Sequence, residues 1–163
     1  MSARLRPAVP DDAATIHRLI VELATYEREP EAVVVTPDEL RAQLAAARPP
    51  FECLLVELAG GQVVGFALYF HNYSTWRGRQ GIYLEDLFVE PAHRGRGYGK
   101  QLLVRLAQLA VDRGCARMEW NVLDWNAPAI AFYRSLGAVP LSEWTVFRLT
   151  GEALLNLART PGR

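Results

Sequence analysis

The stretch Ile82–Lys100, IYLEDLFVEPAHRGRGYGK, runs from an apolar segment through a proline turn into three alternate glycines set among basic residues. Ile82–Val89 reads as a strand, and Glu90-Pro91 ends it. Leu102, Leu103, Leu106, Leu109 and Ala110 then mark one face of a helix that Gly114 closes. Gly95, Gly97 and Gly99 thus lie between a strand and a helix start. Glycine there permits positive φ and brings backbone N–H groups close to a ligand. With the positive end of the helix they make an anion site, and Arg94, Arg96 and Lys100 add charge around it. The expected guest is a phosphate or pyrophosphate.

Two nucleotide readings of this turn fail on spacing. A triphosphate loop needs Gly-x-x-x-x-Gly-Lys-Ser/Thr, and the chain has no such string. A dinucleotide fingerprint starting at Gly95 and Gly97 needs a third glycine where Lys100 stands. The string that does fit is Arg-x-x-Gly-x-Gly, at Arg94, Gly97 and Gly99.

Outward from the turn, the pattern alternates between strand and helix periods. Ala3–Arg6 is a short strand, and Ile16, Leu19, Ile20 and Leu23 recur at helical spacing until Pro30. Thr36-Pro37-Asp38-Glu39 is a capping box for a helix to about Ala47. Glu52–Leu58 and Gln62–His71 read as a hairpin turning at Gly60-Gly61. Asn72–Gly81 reads as a loop, Arg117–Leu123 as a strand, Pro128–Leu136 as a helix, Trp144–Thr150 as a last strand and Glu152–Ala158 as a short helix. Six strands interleaved with helices give an α/β fold with a mixed sheet, and no linker or repeat divides the chain.

Composition narrows the class. The 163 residues suit one domain, and 18 Lys plus Arg against 18 Asp plus Glu leave no net charge. That lacks the basic excess of a general nucleic-acid binder. Cys53 and Cys115 lie in apolar segments and read as thiols of a reducing compartment. His17, His71 and His93 have no ligand-like spacing, so no metal is expected. With no signal core and no membrane-length apolar run, a cytoplasmic protein is expected, without membrane or nucleic-acid partners.

The Arg94–Gly99 string resembles the pyrophosphate signature of the GCN5-related N-acetyltransferase (GNAT) superfamily. Asn126 and Tyr133 also match a landmark of that superfamily, and their spacing of seven puts them on one side of a helix. Tyr133 alone reads equally as a core tyrosine with its hydroxyl at the rim. Tyr83–Val89, Trp125-Asn126 with Phe132-Tyr133, and Leu23-Ala24 before Tyr26-Glu27 further resemble the diamine (spermidine/spermine) N-acetyltransferase family. The likeness runs from about Arg4 to Ala158. The strings Tyr73–Arg79 and Val122–Asn126 are more similar to its thialysine branch. At Ser74 the polyamine branch typically carries aspartate, an anchor for a long polycation.

The resemblance implies a sheet of six to seven strands, with acetyl-CoA between two splayed central parallel strands, and a homodimer. It implies cofactor contacts from Leu87, Phe88, Val89, Arg94 through Lys100 (Gly95, Arg96, Gly97, Tyr98 and Gly99 between), Asn126, Pro128, Ala129 and Tyr133. The acceptor is implied to be a primary amine of a small lysine-like amino acid or diamine. Its contacts would be Tyr26, Glu27, Trp76, Glu85, Asp86, Glu119, Trp120, Asn121 and Glu143, the last on a segment shorter than the family's.

Acetyl transfer needs the neutral amine. With a pKa near 10.4, only about one molecule in two thousand is neutral at pH 7, a deficit of roughly 4–5 kcal/mol. By the resemblance Glu85 takes the proton through water and Tyr133 assists the leaving thiolate. The backbone N–H groups of Leu87–Val89 are suited to polarise the acetyl carbonyl where the strand diverges from its neighbour. Acidic and aromatic side chains suit a cation, although Trp120 reads equally as core and Glu27 as a solvated helix end. Adjacent strand residues face opposite sides, so at most one of Glu85 and Asp86 aims directly at the amine. A polyamine, a protein N-terminus or an aminoglycoside as acceptor, and a non-catalytic acyl-CoA-binding regulator, stay open as alternatives.

Overall fold

The computed structural model describes residues 3–161. Residues through Leu123 form one compact unit, and those from Asp124 form a second. The first unit holds β1 (Ala3–Pro7), α1 (Ala13–Tyr26), α2 (Pro37–Leu44), β2 (Glu52–Leu58), β3 (Val63–Ser74), β4 (Arg79–Val89), α3 (Tyr98–Asp112) and β5 (Met118–Trp120). The second holds α4 (Ala127–Ser135) and α5 (Gly151–Arg159).

Among the described residues the sheet has five strands in the order β1-β2-β3-β4-β5, antiparallel except for the parallel β4–β5 pair. The α/β mixed architecture is the expected one, with fewer strands. The reading of Trp144–Thr150 as a strand is corrected: these residues carry no β structure. Their apolar alternation fits a pleat, but a strand needs a neighbour for its N–H and C=O groups. Trp144 (66%), Val146 (73%) and Phe147 (94%) stand exposed instead. The loop expected at Asn72–Gly81 also shrinks, because β3 and β4 stay paired to Ser74↔Arg79 and only residues 75–78 turn the chain. Arg117–Leu123 contracts to the three residues of β5.

The sheet is packed on both faces. Ile16, Leu19 and Leu23 of α1 and Leu40 of α2 share a buried cluster with Cys53, Leu55, Phe66, Leu68 and Phe88. Burial holds the Cys53 thiol far above the ordinary range, so it is an inert core group. The α3 residues Leu102, Leu103 and Leu106 are buried against β2, β3 and β4. Arg113 at the end of that helix reaches Glu52, which alternation places opposite Cys53. Helices α1 and α3 therefore lie on opposite faces.

Gly65 sets how closely β3 approaches the end of β4. A Cβ there would lie 2.8 Å from the Phe88 carbonyl oxygen and 3.1 Å from Val89 Cγ2. Backbone cannot yield as a flexible side chain does. Gly65→Ala should cost about 1–3 kcal/mol, read as a lower urea midpoint at unchanged m-value. An unaltered midpoint would show that the strands separate freely.

Candidate active site

Strand β4 ends in an anchored corner. The Glu90 amide donates to the Val64 carbonyl at 2.9 Å, and the Arg18 guanidinium holds the Glu90 carboxylate at 2.6 Å. Beyond it Gly95 (φ 75°) and Gly97 (φ 81°) take left-handed conformations, and Gly97 caps the start of α3 with no side chain over the first-turn amides. Gly99 differs: it lies inside the first turn of α3 without positive φ, so its part is to keep the surface bare. A Cβ on Gly95 or Gly99 would meet nothing within 4 Å, which leaves room for a ligand against the backbone. Arg94, Arg96 and Lys100 are exposed around this concavity. Bare amides, a helix N-terminus and three cations fit a pyrophosphate.

Two expected cofactor contacts have buried side chains. Phe88 (4%) and Tyr98 (6%) lie in the core, so each offers a ligand only its backbone. The parallel pairing of β4 with β5 runs from Ile82↔Met118 to Leu84↔Trp120 and stops, while β4 continues to Val89. Leu87, Phe88 and Val89 thus lie where β4 has parted from β5. Arg94 folds back on this end. Its Nε donates to the Val89 carbonyl at 2.9 Å, and its guanidinium carbon sits 4.8 Å from the Tyr26 ring centroid and 5.5 Å from that of Phe88. One cation of the phosphate turn therefore touches an aromatic residue expected on the amine side.

The carboxylates are arranged by an irregularity that alternation alone does not predict. Tyr69 pairs with Leu84 and Leu68 with Asp86, so Glu85 is an extra residue, a β-bulge. Asp86 therefore shares a face with Leu68 and Phe88, on the α1 side, while Leu84 faces α3. Glu85 is exposed and Asp86 half-buried. Burial first, then the charges of Glu85 and Glu27, push the Asp86 carboxyl up to about 7. Burial also raises Glu27, which caps the end of α1. The structure thus brings Glu27, Glu85 and Asp86 together, and singles out Asp86 as the group poised near neutrality. The resemblance assigns the proton to Glu85, and the bulge that sets Asp86 on the α1 face beside it has no residue signature in the sequence.

On the same face the ring of Tyr83 lies 5.2 Å from that of Phe70. The Tyr83 phenol is raised by burial first and then by the charges of Glu85 and Glu119, while Asn121 acts to lower it. Glu119 and Asn121 therefore join the acidic face; Trp120, the next residue on β5, is half-buried. Glu119 Oε2 accepts from Asn72 Nδ2 (2.8 Å) and forms an ion pair with Arg117 Nε (2.9 Å), and Arg117 Nη1 donates to the Oγ of the buried Ser74 (3.1 Å). Asn72 and Arg117 escaped sequence reading, since one was assigned to a loop and the other only to a strand start. Trp76 is not gathered in: it stands 90% exposed at the β3–β4 tip, about 20 Å along the strand from Asp86.

The second unit carries the remaining residues. Asn126 caps α4, its Oδ1 accepting from the Ala129 amide at 3.3 Å, with Pro128 in the first turn. Tyr133 is half-buried two turns on, its ring 5.6 Å from that of Phe132. Glu143 is exposed in a turn. Among the described residues no group of three or more His, Cys, Asp or Glu could hold a metal ion, and no helix is long and apolar enough to cross a membrane.

Comparison with known proteins agrees with this geometry. Residues 15–138 match the model of the acetyltransferase (GNAT) family, whose members use acetyl-CoA as co-substrate. The chain is 42% identical to a thialysine N-epsilon-acetyltransferase of Bos taurus, over 94% of this chain and 96% of that one. It is 33% identical to an L-ornithine N5-acetyltransferase of Arabidopsis thaliana, over 94% and 87%. An integron cassette protein from the mobile metagenome of V. cholerae superposes with a TM-score of 0.81 at 26% identity, covering 98% of this chain and 99% of that one. The chain belongs to the GNAT acetyltransferase family and is an N-acetyltransferase.

Proposed function

We propose that the protein, acting as a single transferase domain, passes acetyl directly from acetyl-CoA to a primary amine of a small lysine-like amino acid or diamine. The observation that carries this reading is that the charges of Glu27 and Glu85 act on Asp86, on the stretch of β4 beyond its pairing with β5 that leads into the anion turn. Acetyl-CoA supplies the acetyl group as a thioester. Gly95 to Lys100 hold its pyrophosphate, and the amides of Leu87–Val89 stabilise the negative charge that grows on the carbonyl oxygen. The carboxylates bind the ammonium. Glu85 receives its proton through water, in exchange with Asp86, whose pKa of about 7 matches the working range. The freed nitrogen bonds to the acetyl carbon as the carbon–sulfur bond breaks, Tyr133 gives its proton to the departing thiolate, and the proton that the new amide nitrogen sheds restores Tyr133 through solvent.

A long polyamine suits the site less. Ser74 offers no charge where an anchoring aspartate would stand, and its hydroxyl already accepts from Arg117. Thiol-release assays across thialysine, lysine, ornithine, putrescine and spermidine test the assignment. The thialysine relatives lead us to expect the first of these to give the highest kcat/KM, and turnover on none of them would refute it. We further propose a cytoplasmic homodimer in which the exposed segment Trp144–Leu149 is covered by a second copy. Sedimentation at monomer mass throughout the micromolar range would refute that arrangement.

A further inference from the structure

The acidic face does not end at the three carboxylates. Its far end holds a pair of opposite charges within a polar frame. Asn72 is held there by its Nδ2, which donates to Glu119 at 2.8 Å; its buried Oδ1 has no partner among the described residues and would lie 2.5 Å from a Cβ at Gly81. Its Nδ2 and Arg117 Nε both bind Glu119 Oε2, and Ser74, 4% exposed, holds Arg117 Nη1. Among the described residues this leaves Glu119 Oε1 and Arg117 Nη2 without a protein hydrogen bond. Both side chains keep access to solvent, 28% exposed for Glu119 and 42% for Arg117. One end of the face thus offers a spare acceptor beside a spare donor of opposite charge, each held through its other atoms.

The distance from this pair to the carboxylate trio is set by the sheet. Asp86 is opposite Leu68, and Tyr83 is opposite Phe70 and level with Glu119. Glu119 is thus two residues, or roughly 7 Å, along β3 and one strand spacing of about 4.8 Å across to β5, and Arg117, level with Gly81 and Asn72, is roughly 13 Å along. The floor between them is the Phe70–Tyr83 ring pair, an apolar surface for methylenes. A lysine-like side chain separates its terminal nitrogen from its Cα by five bonds, roughly 6 Å in zigzag. Adding a hydrogen bond of about 2.9 Å at each end gives roughly 12 Å, between the roughly 8 Å to Glu119 and the roughly 14 Å to Arg117.

We propose that Arg117 and Glu119 form the site that reads the amino-acid end of the acceptor, Arg117 binding its α-carboxylate and Glu119 its α-ammonium. A diamine has no carboxylate for Arg117, and leaves that guanidinium facing a second cation. The pair therefore selects zwitterionic amino acids over diamines of equal length. The role of Ser74 follows: an aspartate there would pair with Arg117 and draw it from Glu119, freeing a carboxylate for a polyamine. The assignment rests on the acetyl-transfer reading above.

The test compares kcat/KM for thialysine, its methyl ester and its decarboxylated diamine, in the wild type, Arg117→Gln and Arg117→Lys. The wild type should prefer the acid over the ester by roughly 10- to 100-fold, as for a hydrogen bond between charged groups. Arg117→Gln should abolish that preference, and Arg117→Lys should retain part of it, because a lysine keeps the charge without the planar fork. The ester comparison needs no variant and decides the matter if Arg117→Gln does not fold. Turnover of all three substrates at similar kcat/KM by the wild type, or an equal loss on all three in Arg117→Gln, would overturn the zwitterion site alone. No turnover of any amine would overturn the acetyl-transfer reading and the site with it.

Discussion

Asp86→Asn lowers kcat/KM for the amine by about 10²- to 10³-fold, the range for loss of a positioned acid–base group, and yet makes the protein more stable above neutrality. The two effects have one cause. Asp86 sits half-buried on the α1 face between Glu85 and Glu27, which raises its pKa from an ordinary 3.8 to about 7. The folded chain therefore binds a proton between those values that the unfolded chain does not. Stability from this group is full below the unfolded pKa and is lost as pH rises through about 7. Above pH 7 the wild type carries a buried charge beside two like charges, and the isosteric amide removes it. The thermal midpoint of Asp86→Asn should accordingly exceed that of the wild type at pH 8 and match it near pH 4. In the wild type kcat/KM should rise with pH through about 7, and the variant should lose that limb. An active variant with an unshifted midpoint would show that Asp86 is neither strained nor used.

Tyr133→Phe should reduce kcat by about 10²-fold, in the range for loss of a general acid, while the dissociation constant of acetyl-CoA stays within about twofold. The removed hydroxyl is asked to act only as sulfur leaves. A contact made in the transition state alone lowers kcat and kcat/KM together and spares ground-state binding. The ring remains to pack beside Phe132 on α4, so unfolding is not the expected route to lost activity. Single-turnover kinetics with titration of coenzyme binding separates the outcomes. Equal loss of binding and turnover would make Tyr133 a structural residue.

Much of this was legible in the residues because it depends on local rules. The glycine turn, the capping box Thr36–Glu39 and the hairpin at Gly60-Gly61 are each specified within a few positions, and each forms. What escaped depends on partners distant in sequence. Glu85 is a bulge only because Tyr69 pairs with Leu84 and Leu68 with Asp86, which nothing in residues 82–89 announces. Burial of Ser74 and its tie to Arg117, 43 positions away, likewise need the folded sheet. The strand expected at Trp144–Thr150 shows the reverse case: its apolar residues suit a pleat, yet among the described residues no neighbour pairs with it.

The extra residue at Glu85 works as a frame shift within the sheet. Before it, β4 assigns Tyr83 to the α1 face and Leu84 to the α3 face. After it, Asp86 and Phe88 take the α1 face, each opposite its own partner on β3. One strand is thereby divided into two segments whose inside and outside are set independently. The segment toward the turn can keep its packing on α1 while the other alters what it offers an acceptor, and residues such as Glu119 and Ser74 can be exchanged without re-registering the core. A scaffold with such a break can change the amine it accepts by small steps and still fold by the same plan.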